Sequence, residues 1–257
     1  FSGIAAGIRL AHFGKRVCIV ERHTRVGGLN SYYRRGGIEL DTGLHAMTNI
    51  GHGRRRSTPL HKLFRQLRLD VADIEIREQT QSQIRFPSAS LCFTNEFAAF
   101  EASVEANFPK AVDPLRKLVA ELPGYEALQD NLQPRSARAF LTERLCEPLL
   151  VDMLLCPILF YGGAQPDDMD LVRFGILFRS VFVEGLGRPG KGIRPLLMML
   201  RDRYLACDGA LRLGSGVARI LIREGRVAGV ELDGGEVIHA PVVFSSAGLV
   251  ETRALCE

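Results

Sequence analysis

A glycine and an acid near the start of the chain have the types and spacing that suit a dinucleotide. Gly3 opens a small-residue segment, SGIAAGIRLAHF, and Glu21 follows 18 residues later at the end of the apolar run VCIV. A glycine turn lets backbone N–H groups reach a pyrophosphate at a helix N-terminus, and an acid at the end of the next strand accepts the ribose hydroxyls. An ordinary α/β unit whose strand ends in Glu would also give these two residues.

The segment just past Glu21 favours the dinucleotide interpretation. It reads Arg25-Val26-Gly27-Gly28. Two adjacent glycines remove side chains where a large ligand must pass, and Arg25 can neutralise a diphosphate. A lone Gly-Gly is ordinarily a simple turn, but at this distance from Glu21 it indicates a nucleotide site.

The elements around these residues follow an α/β pattern. We predict a helix over 2–13 that stops at Gly14, and a strand over 16–21, which together make half of a βαβ unit. The first strand and the leading glycines of that unit would lie just before residue 1. Further helices are predicted at 59–69, 193–205 and through most of 96–161, whereas 171–184 fits either a helix or a strand. Strands are predicted within 73–93 and from 210 to the final run PVVFSSAG.

Composition narrows the class of protein. The 257 residues are 46% hydrophobic and 24% charged, with a net charge of +4. No apolar run reaches the roughly 18 residues of a transmembrane helix, and no signal peptide is recognised. The Lys/Arg clusters are not the dense, aromatic-interleaved stripe of a nucleic-acid binder. They fit a solvated surface, contact with cofactor phosphates, or an anionic membrane surface.

The six cysteines show no metal-ligand spacing, since none forms a CxxC pair or has a nearby histidine partner. We therefore predict no metal site and free thiols in a reducing cytoplasm, with Cys18 as a small core residue.

Three blocks of the sequence carry a resemblance to a known family. They are SGIAAGIRLAHFGKRVCIVERHTRVGGLNSYYRRGGIELDTGLHAM, GLGRPGKGIRPLLMML and GALRLGSGVARILIREGRVAGVELDGGEVIHAPVVFSSAG. The chain resembles the phytoene desaturase, carotenoid isomerase and retinol saturase-like branch of the FAD-dependent amine oxidase superfamily. The central stretch, 70–165, has the general character of the family but none of its specific motifs.

The resemblance implies an α/β fold with a Rossmann-like FAD-binding domain of the GR2 type and an inserted α+β substrate or cap domain. It places the FAD-binding domain at 1–70 and 185–257, and the substrate domain at 71–184. It also implies that the chain is a fragment, trimmed at both ends, of a longer enzyme.

The resemblance further implies a set of FAD-contacting residues. Glu21 would bind the adenosine ribose, Val217 the adenine, and Asp41 would lie on the segment beside the flavin ring. The cofactor-binding residues are Gly3, Glu21, Arg22, Arg25, Gly27, Gly28, Ser31, Gly43, Leu44, His45, Val217, Ala247 and Gly248, with Ser246 in the same small-residue turn.

The predicted chemistry is hydride transfer between flavin and a C–C or C=C bond of a hydrophobic isoprenoid or polyene. His45 is the one weak candidate for a catalytic residue. The partner is a hydrophobic small molecule rather than a nucleic acid, and the apolar segments 140–160 and 171–183 could load it from a membrane surface or simply form a packed core. We expect a cytoplasmic protein, peripheral to the membrane if that loading occurs.

Two other functions stay open from the sequence. A flavin amine oxidase would usually need an aromatic cage, for which a chain without tryptophan and with five tyrosines offers little material. A partial, non-catalytic product that keeps the fold without the cofactor is the second alternative.

Overall fold

A computed structural model describes residues 1–43, 46–49, 58–124, 133–160 and 165–256 of the chain. The helices within these ranges are α1 (Ser2–His12), α2 (Pro59–Gln66), α3 (Phe97–Asn107), α4 (Val112–Glu121), α5 (Ala137–Leu145), α6 (Pro148–Leu159), α7 (Leu171–Phe178), α8 (Arg194–Leu205) and α9 (Leu249–Ala254). The strands are β1 (Cys18–Glu21), β2 (Tyr32–Arg35), β3 (Ile38–Asp41), β4 (Ile76–Glu78), β5 (Ser82–Arg85), β6 (Ser90–Phe93), β7 (Gly187–Pro189), β8 (Ala210–Leu213), β9 (Val217–Arg223), β10 (Arg226–Leu232) and β11 (Val237–His239).

The chain divides into two compact units. The first contains Phe1–His45, His61–Glu75 and Pro189–Glu257, and the second contains Ala46–Leu60 and Ile76–Arg188. These bounds differ from the sequence-based ones mainly at 46–60, which group with the second unit, and at 71–75, which group with the first. The backbone N–H of Gly190 donates to the carbonyl of Glu75 at 2.7 Å, which ties that short segment into the first unit.

The first unit is organised around the parallel pair β1–β8. Cys18 aligns with Ala210 and Glu21 with Leu213. Helix α1 packs against β1 at Gly7, where an added Cβ would lie 2.7 Å from Cδ1 of Ile19. The small residues of α1 therefore serve close helix–strand contact, which a parallel sheet covered by helices requires.

Tyr204, near the end of α8, is the central packing residue of this unit. Its side chain is fully buried, and its hydroxyl lies 2.8 Å from the carbonyl of Val17 and 2.9 Å from that of Ala210. The ring thus contacts the chain just before β1 and at the start of β8. Burial raises the pKa of the Tyr204 phenol to about 12.

Two small antiparallel arrangements complete the first unit. The hairpin β2–β3 pairs Tyr32 with Asp41. The meander β9–β10–β11 encloses a small apolar core of Ile220, Val230 and Leu232. The meander agrees with the strands predicted from residue 210 onward.

The predicted strand PVVFSSAG is wrong for the described structure. Residues 241–247 make no ladder there, and Val242 and Phe244 are 62% and 68% exposed. An extended segment counts as a strand only when a neighbouring strand accepts and donates its backbone hydrogen bonds. Cys18 also departs from prediction, because its side chain is exposed rather than in the core. All six cysteines are free thiols.

The second unit has one large apolar core formed by helices α3–α7 and the short pair β5–β6. Five fully or almost fully buried phenylalanines, at 93, 100, 174, 178 and 182, lie at its centre with their rings in edge, tilted or stacked contact; Phe100 and Phe182 stack with centroids 4.6 Å apart. Phe182 belongs to a single π-helical turn, Arg179–Val183, that continues α7. The stretch 171–184, ambiguous in the sequence, is therefore helical.

The apolar segment 140–160 is used mainly for this core. Leu150, Met153, Leu154 and Leu155 of α6 are all completely buried. This packing matches the packed-core alternative for the segment and removes these side chains from contact with a membrane. In the part of the chain that the structure describes, no helix combines the length and apolarity needed to cross a bilayer.

Asp168 stabilises the start of α5 by hydrogen bonds. Its carboxylate accepts hydrogen bonds from the Ser136 hydroxyl at 2.6 Å and from the backbone N–H groups of Arg138 and Met169 at 2.9 and 2.8 Å. Partial burial acts to raise the pKa of Asp168, but these hydrogen bonds outweigh it, so its pKa lies below the usual range. The ionised form is therefore the one that holds the helix start.

Candidate functional site

Glu21 ends β1 with its carboxylate partly exposed at the carboxyl edge of the parallel pair. One carboxylate oxygen accepts the backbone N–H of His23 at 2.9 Å. The carbonyl of Glu21 accepts the N–H of Ser215, just past β8, at 3.0 Å. Ligands of open α/β sheets bind at this edge, so the acid has the position that a ribose-binding residue needs.

Gly27 and Gly28 bring bare backbone close to that acid. Their φ angles are 120° and 56°, which side chains rarely adopt. An added Cβ on Gly28 would stand 3.6 Å from Oε2 of Glu21, and one on Gly27 would lie 2.9 Å from Cδ1 of Leu197. The turn therefore leaves backbone, not side chain, facing the space beside Glu21.

The residues that lead into β9 contact the end of β1, through the Ser215–Glu21 hydrogen bond and through Gly216. Gly216, which precedes Val217, would place a Cβ 2.9 Å from Nε of Arg22. Its carbonyl accepts the N–H of Asp233 at 2.9 Å, and the Asp233 carboxylate lies 3.9 Å from Arg22. The segment that precedes Val217 therefore lies against Glu21 and Arg22 although the sequence separates them widely, and the adenine contact of Val217 stays a prediction.

The N-terminus of α1 lies beside the predicted small-residue turn. A Cβ added to Gly3 would be 3.3 Å from Oγ of Ser246. No side chain caps α1, so its first-turn N–H groups keep their capacity to bind an anion. Ala247 and Gly248 follow directly, with Gly248 at the N-cap of α9. Gly3, Ser246, Ala247 and Gly248 therefore share one region.

Arg25 is held by Tyr32 in the structure. Its Nη1 donates to the Tyr32 carbonyl at 2.9 Å, and its guanidinium lies 5.5 Å from the centre of the Tyr32 ring. Arg194 lies 5.3 Å from the same ring centre. The aromatic ring thus collects two cationic groups near the turn of Gly27, and a diphosphate contact of Arg25 stays a prediction.

Ser31 is buried, and its hydroxyl has no hydrogen-bond partner in the described structure. A buried hydroxyl without a partner is costly, which is typical of a group that a ligand satisfies. Gly43 lies against the residues just before Ser31, since an added Cβ there would meet the carbonyl of Leu29 at 2.6 Å and Cα of Asn30 at 3.3 Å. The neighbouring predicted residues Leu44 and His45 lie outside the described residues.

Asp41 joins β3 to the start of α8, and its predicted position beside the flavin ring stays a prediction. Its Oδ1 accepts the N–H of Ile193 at 3.2 Å, immediately before α8. A Cβ on Gly192 would lie 2.9 Å from the same oxygen. Asp41 therefore fixes the loop that leads into α8, and through that helix the position of Leu197 against Gly27.

Together these residues fit the ADP part of FAD. The first-turn N–H groups of α1, the bare backbone at Gly27 and Gly28, the partly exposed Glu21 carboxylate and the unpartnered Ser31 hydroxyl supply the donors and acceptors that a diphosphate and a ribose need. The described residues contain no group of three or more His, Cys, Asp or Glu side chains that could hold a metal ion.

The sequence did not identify several residues that support the candidate site. Gly7 lies one helical turn after Gly3, and that spacing on a helix could have indicated a close packing contact. Gly209, Tyr204 and Asp233 gave no comparable signal, because their roles depend on contacts between segments far apart in the chain.

Comparison with known proteins agrees with this geometry. The model of the family described as flavin containing amine oxidoreductase matches residues 1–248. All-trans-retinol 13,14-reductase of Rattus norvegicus is 25% identical over 289 residues, covering 97% of this chain and 46% of that protein. The zeta-carotene-forming phytoene desaturase of Myxococcus xanthus is 26% identical over 273 residues, covering 96% of this chain and 52% of that protein. The chain thus spans about half the length of these relatives.

A solved structure shares the fold. The crystal structure of an oxidoreductase from Methanosarcina mazei superposes with a TM-score of 0.76 at 19% identity, over 100% of this chain and 59% of that one. These comparisons confirm the predicted fold class and the predicted flavin cofactor.

Proposed function

Because this chain belongs to the flavin containing amine oxidoreductase family, we propose that the full-length protein is an FAD-dependent oxidoreductase acting on a carbon–carbon bond of a hydrophobic isoprenoid or polyene. The observation that carries the substrate class is the similarity, over 96–97% of this chain, to proteins named as a retinol reductase and a phytoene desaturase. The first unit would bind FAD and the second would bind the substrate.

Within the first unit, each residue has a definite task in this proposal. The Glu21 carboxylate accepts hydrogen bonds from the ribose hydroxyls and repels a 2′-phosphate. The site therefore selects an adenosine whose 2′-hydroxyl is not phosphorylated. The backbone at Gly27 and Gly28 and the first turn of α1 donate N–H groups to the diphosphate. Val217 presents its backbone N–H and C=O to the adenine, beside Arg22.

The turn at Ser246, Ala247 and Gly248 lies beside the cofactor near the N-terminus of α1. Small residues there let backbone approach it closely, as at Gly3. The Ser31 hydroxyl, buried and unpartnered, gains a hydrogen bond when the cofactor is bound. Arg25 supplies positive charge near the diphosphate from its position at Tyr32.

When bound, FAD would supply the redox chemistry, as hydride acceptor in a desaturation or hydride donor in a saturation. The protein orients the polyene and excludes water. His45 is the proposed contact of the chain with the reacting region.

An anaerobic test separates the candidate substrates. Full-length protein reconstituted with FAD is mixed with phytoene, and the dithionite-reduced form is mixed with all-trans-retinol. We expect either phytoene to bleach the flavin absorbance or retinol to restore it. Putrescine is the amine control. Bleaching by putrescine with no response to either polyene would replace this proposal by an amine oxidase.

A further inference from the structure

The C-terminal ends of three helices meet in the first unit. Nη1 of Arg9 in α1 donates to the carbonyl of Gln66 at 2.8 Å, and Nε of Arg203 in α8 donates to the carbonyl of Leu67 at 3.3 Å. Both acceptors belong to the C-terminal end of α2, where carbonyls lack intrahelical partners and the helix dipole is negative. These two arginines therefore serve the fold, and they bring the ends of α1, α2 and α8 together.

This three-helix end carries a clear excess of positive charge. Its segments, 9–16, 61–70 and 201–208, contain eight Lys/Arg against three Asp. Two of the three acids are engaged, since Asp70 accepts the N–H of Ala72 at 2.9 Å and Asp202 pairs with Arg201 at 2.6 Å. Five exposed bases have no acidic partner among the described residues: Lys15, Arg16, Lys62, Arg65 and Arg68.

Exposed apolar side chains lie on the same segments. Phe13 is 65% exposed, Leu63 44% and Leu205 45%. The guanidinium of Arg9 lies 4.9 Å from the centre of the Phe13 ring, which fixes the ring at this end of the unit. A surface that mixes unpaired bases with exposed apolar groups is typical of proteins that rest on an anionic bilayer.

We propose that the three-helix end docks on an anionic membrane surface, with the unpaired bases at lipid headgroups and Phe13, Leu63 and Leu205 at the level where headgroups meet acyl chains. An anionic lipid is favoured over a nucleic acid because the exposed apolar groups include two leucines, which a base cannot stack on. The inference does not depend on the reaction proposed above, since it concerns helix ends that bind no cofactor.

Vesicle flotation with full-length protein tests the proposal. Vesicles of phosphatidylcholine alone are compared with vesicles that also contain phosphatidylglycerol. We expect binding to the second kind only, lost in about 1 M salt because the Debye length falls to about 3 Å. The double variant Lys62→Gln/Arg65→Gln should bind about 25-fold more weakly, at about fivefold for each base near the surface.

Two further variants separate specific docking from general attraction. Phe13→Ser keeps the charge and should weaken binding about tenfold, because a Phe loses much of its burial energy. Arg223→Gln/Arg226→Gln removes two exposed bases from the β9–β10 hairpin and should leave binding unchanged.

Three results would overturn the proposal. One is an equal loss of binding in the control and in the Lys62/Arg65 variant. Another is equal binding to both kinds of vesicle. The third is binding to RNA or duplex DNA with none to either vesicle. Circular dichroism of each variant verifies that a loss of binding is not a loss of fold.

Discussion

Gly209→Ala should strongly destabilise the first unit, because this position lies directly against the Tyr204 ring. An added Cβ would be 2.2, 2.3 and 2.6 Å from three ring atoms. Contacts below 3 Å require movement, and the ring cannot move freely since it is fully buried and its hydroxyl contacts the carbonyls of Val17 and Ala210.

The magnitude follows from two costs. Overpacking a core position costs about 1–3 kcal/mol. Displacing the ring also weakens a buried hydrogen bond, at about 1 kcal/mol or more. We therefore expect a loss of about 2–4 kcal/mol in the free energy of unfolding, and a loosened approach of β8 to β1 that weakens FAD binding at Glu21.

Urea unfolding of full-length protein, followed by circular dichroism, measures this loss. Gly234→Ala is the matched control, because no atom lies within 4 Å of its added Cβ and its φ is not positive. It should change the free energy of unfolding by less than about 0.5 kcal/mol. Equal stability of Gly209→Ala and Gly234→Ala would refute the packing role given to Tyr204.

Three other substitutions test separate parts of the account. Tyr204→Phe should lower the free energy of unfolding by about 1 kcal/mol at neutral pH. The pKa of Tyr204 is about 12 in the folded state and about 10 in the unfolded state, so the wild type loses stability between those pH values while the variant does not lose that contribution. Urea titrations at alkaline pH should therefore show the advantage of the wild type narrowing in this range. Asp168→Asn should lower the free energy of unfolding by about 1–3 kcal/mol at neutral pH, whereas the control Asp167→Asn should leave it unchanged. The difference between wild type and Asp168→Asn should shrink as the pH falls below about 4. The reason is that the pKa of Asp168 is lowered in the folded state, so its carboxylate stabilises the fold only while it is ionised. A difference unchanged down to pH 2 would contradict that assignment. Glu21→Gln should weaken FAD binding about 10- to 100-fold by fluorescence titration, whereas Glu105→Gln, at an exposed position of α3, should leave it unchanged.

Much of the local structure could be predicted from the sequence. The small-residue run before Gly14, the Pro59 helix and the turns at Glu224-Gly225 and Asp233-Gly234 all depend on short-range chemistry. The acid at the end of β1 was identifiable for the same reason, because its distance from Gly3 follows from the length of one helix and one strand.

Contacts between distant segments could not be predicted. The Tyr204 hydroxyl meets Val17 across 187 positions of the chain. The PVVFSSAG run has the composition of a buried strand, yet composition does not supply a pairing partner, and in the described structure it forms no ladder. The contact of Asp41 with the N–H of Ile193, before α8, likewise joins segments far apart in the chain.

The central claim is that Glu21, Gly27, Gly28 and Val217 bind the ADP part of FAD, and competition binding tests it most directly. Full-length apoprotein is titrated with FAD in the presence of ADP, of FMN, or of ADP bearing a 2′-phosphate. We expect that ADP competes with FAD and that a 2′-phosphate on ADP abolishes this competition, because it meets the Glu21 carboxylate. Competition by FMN but not by ADP would contradict the central claim.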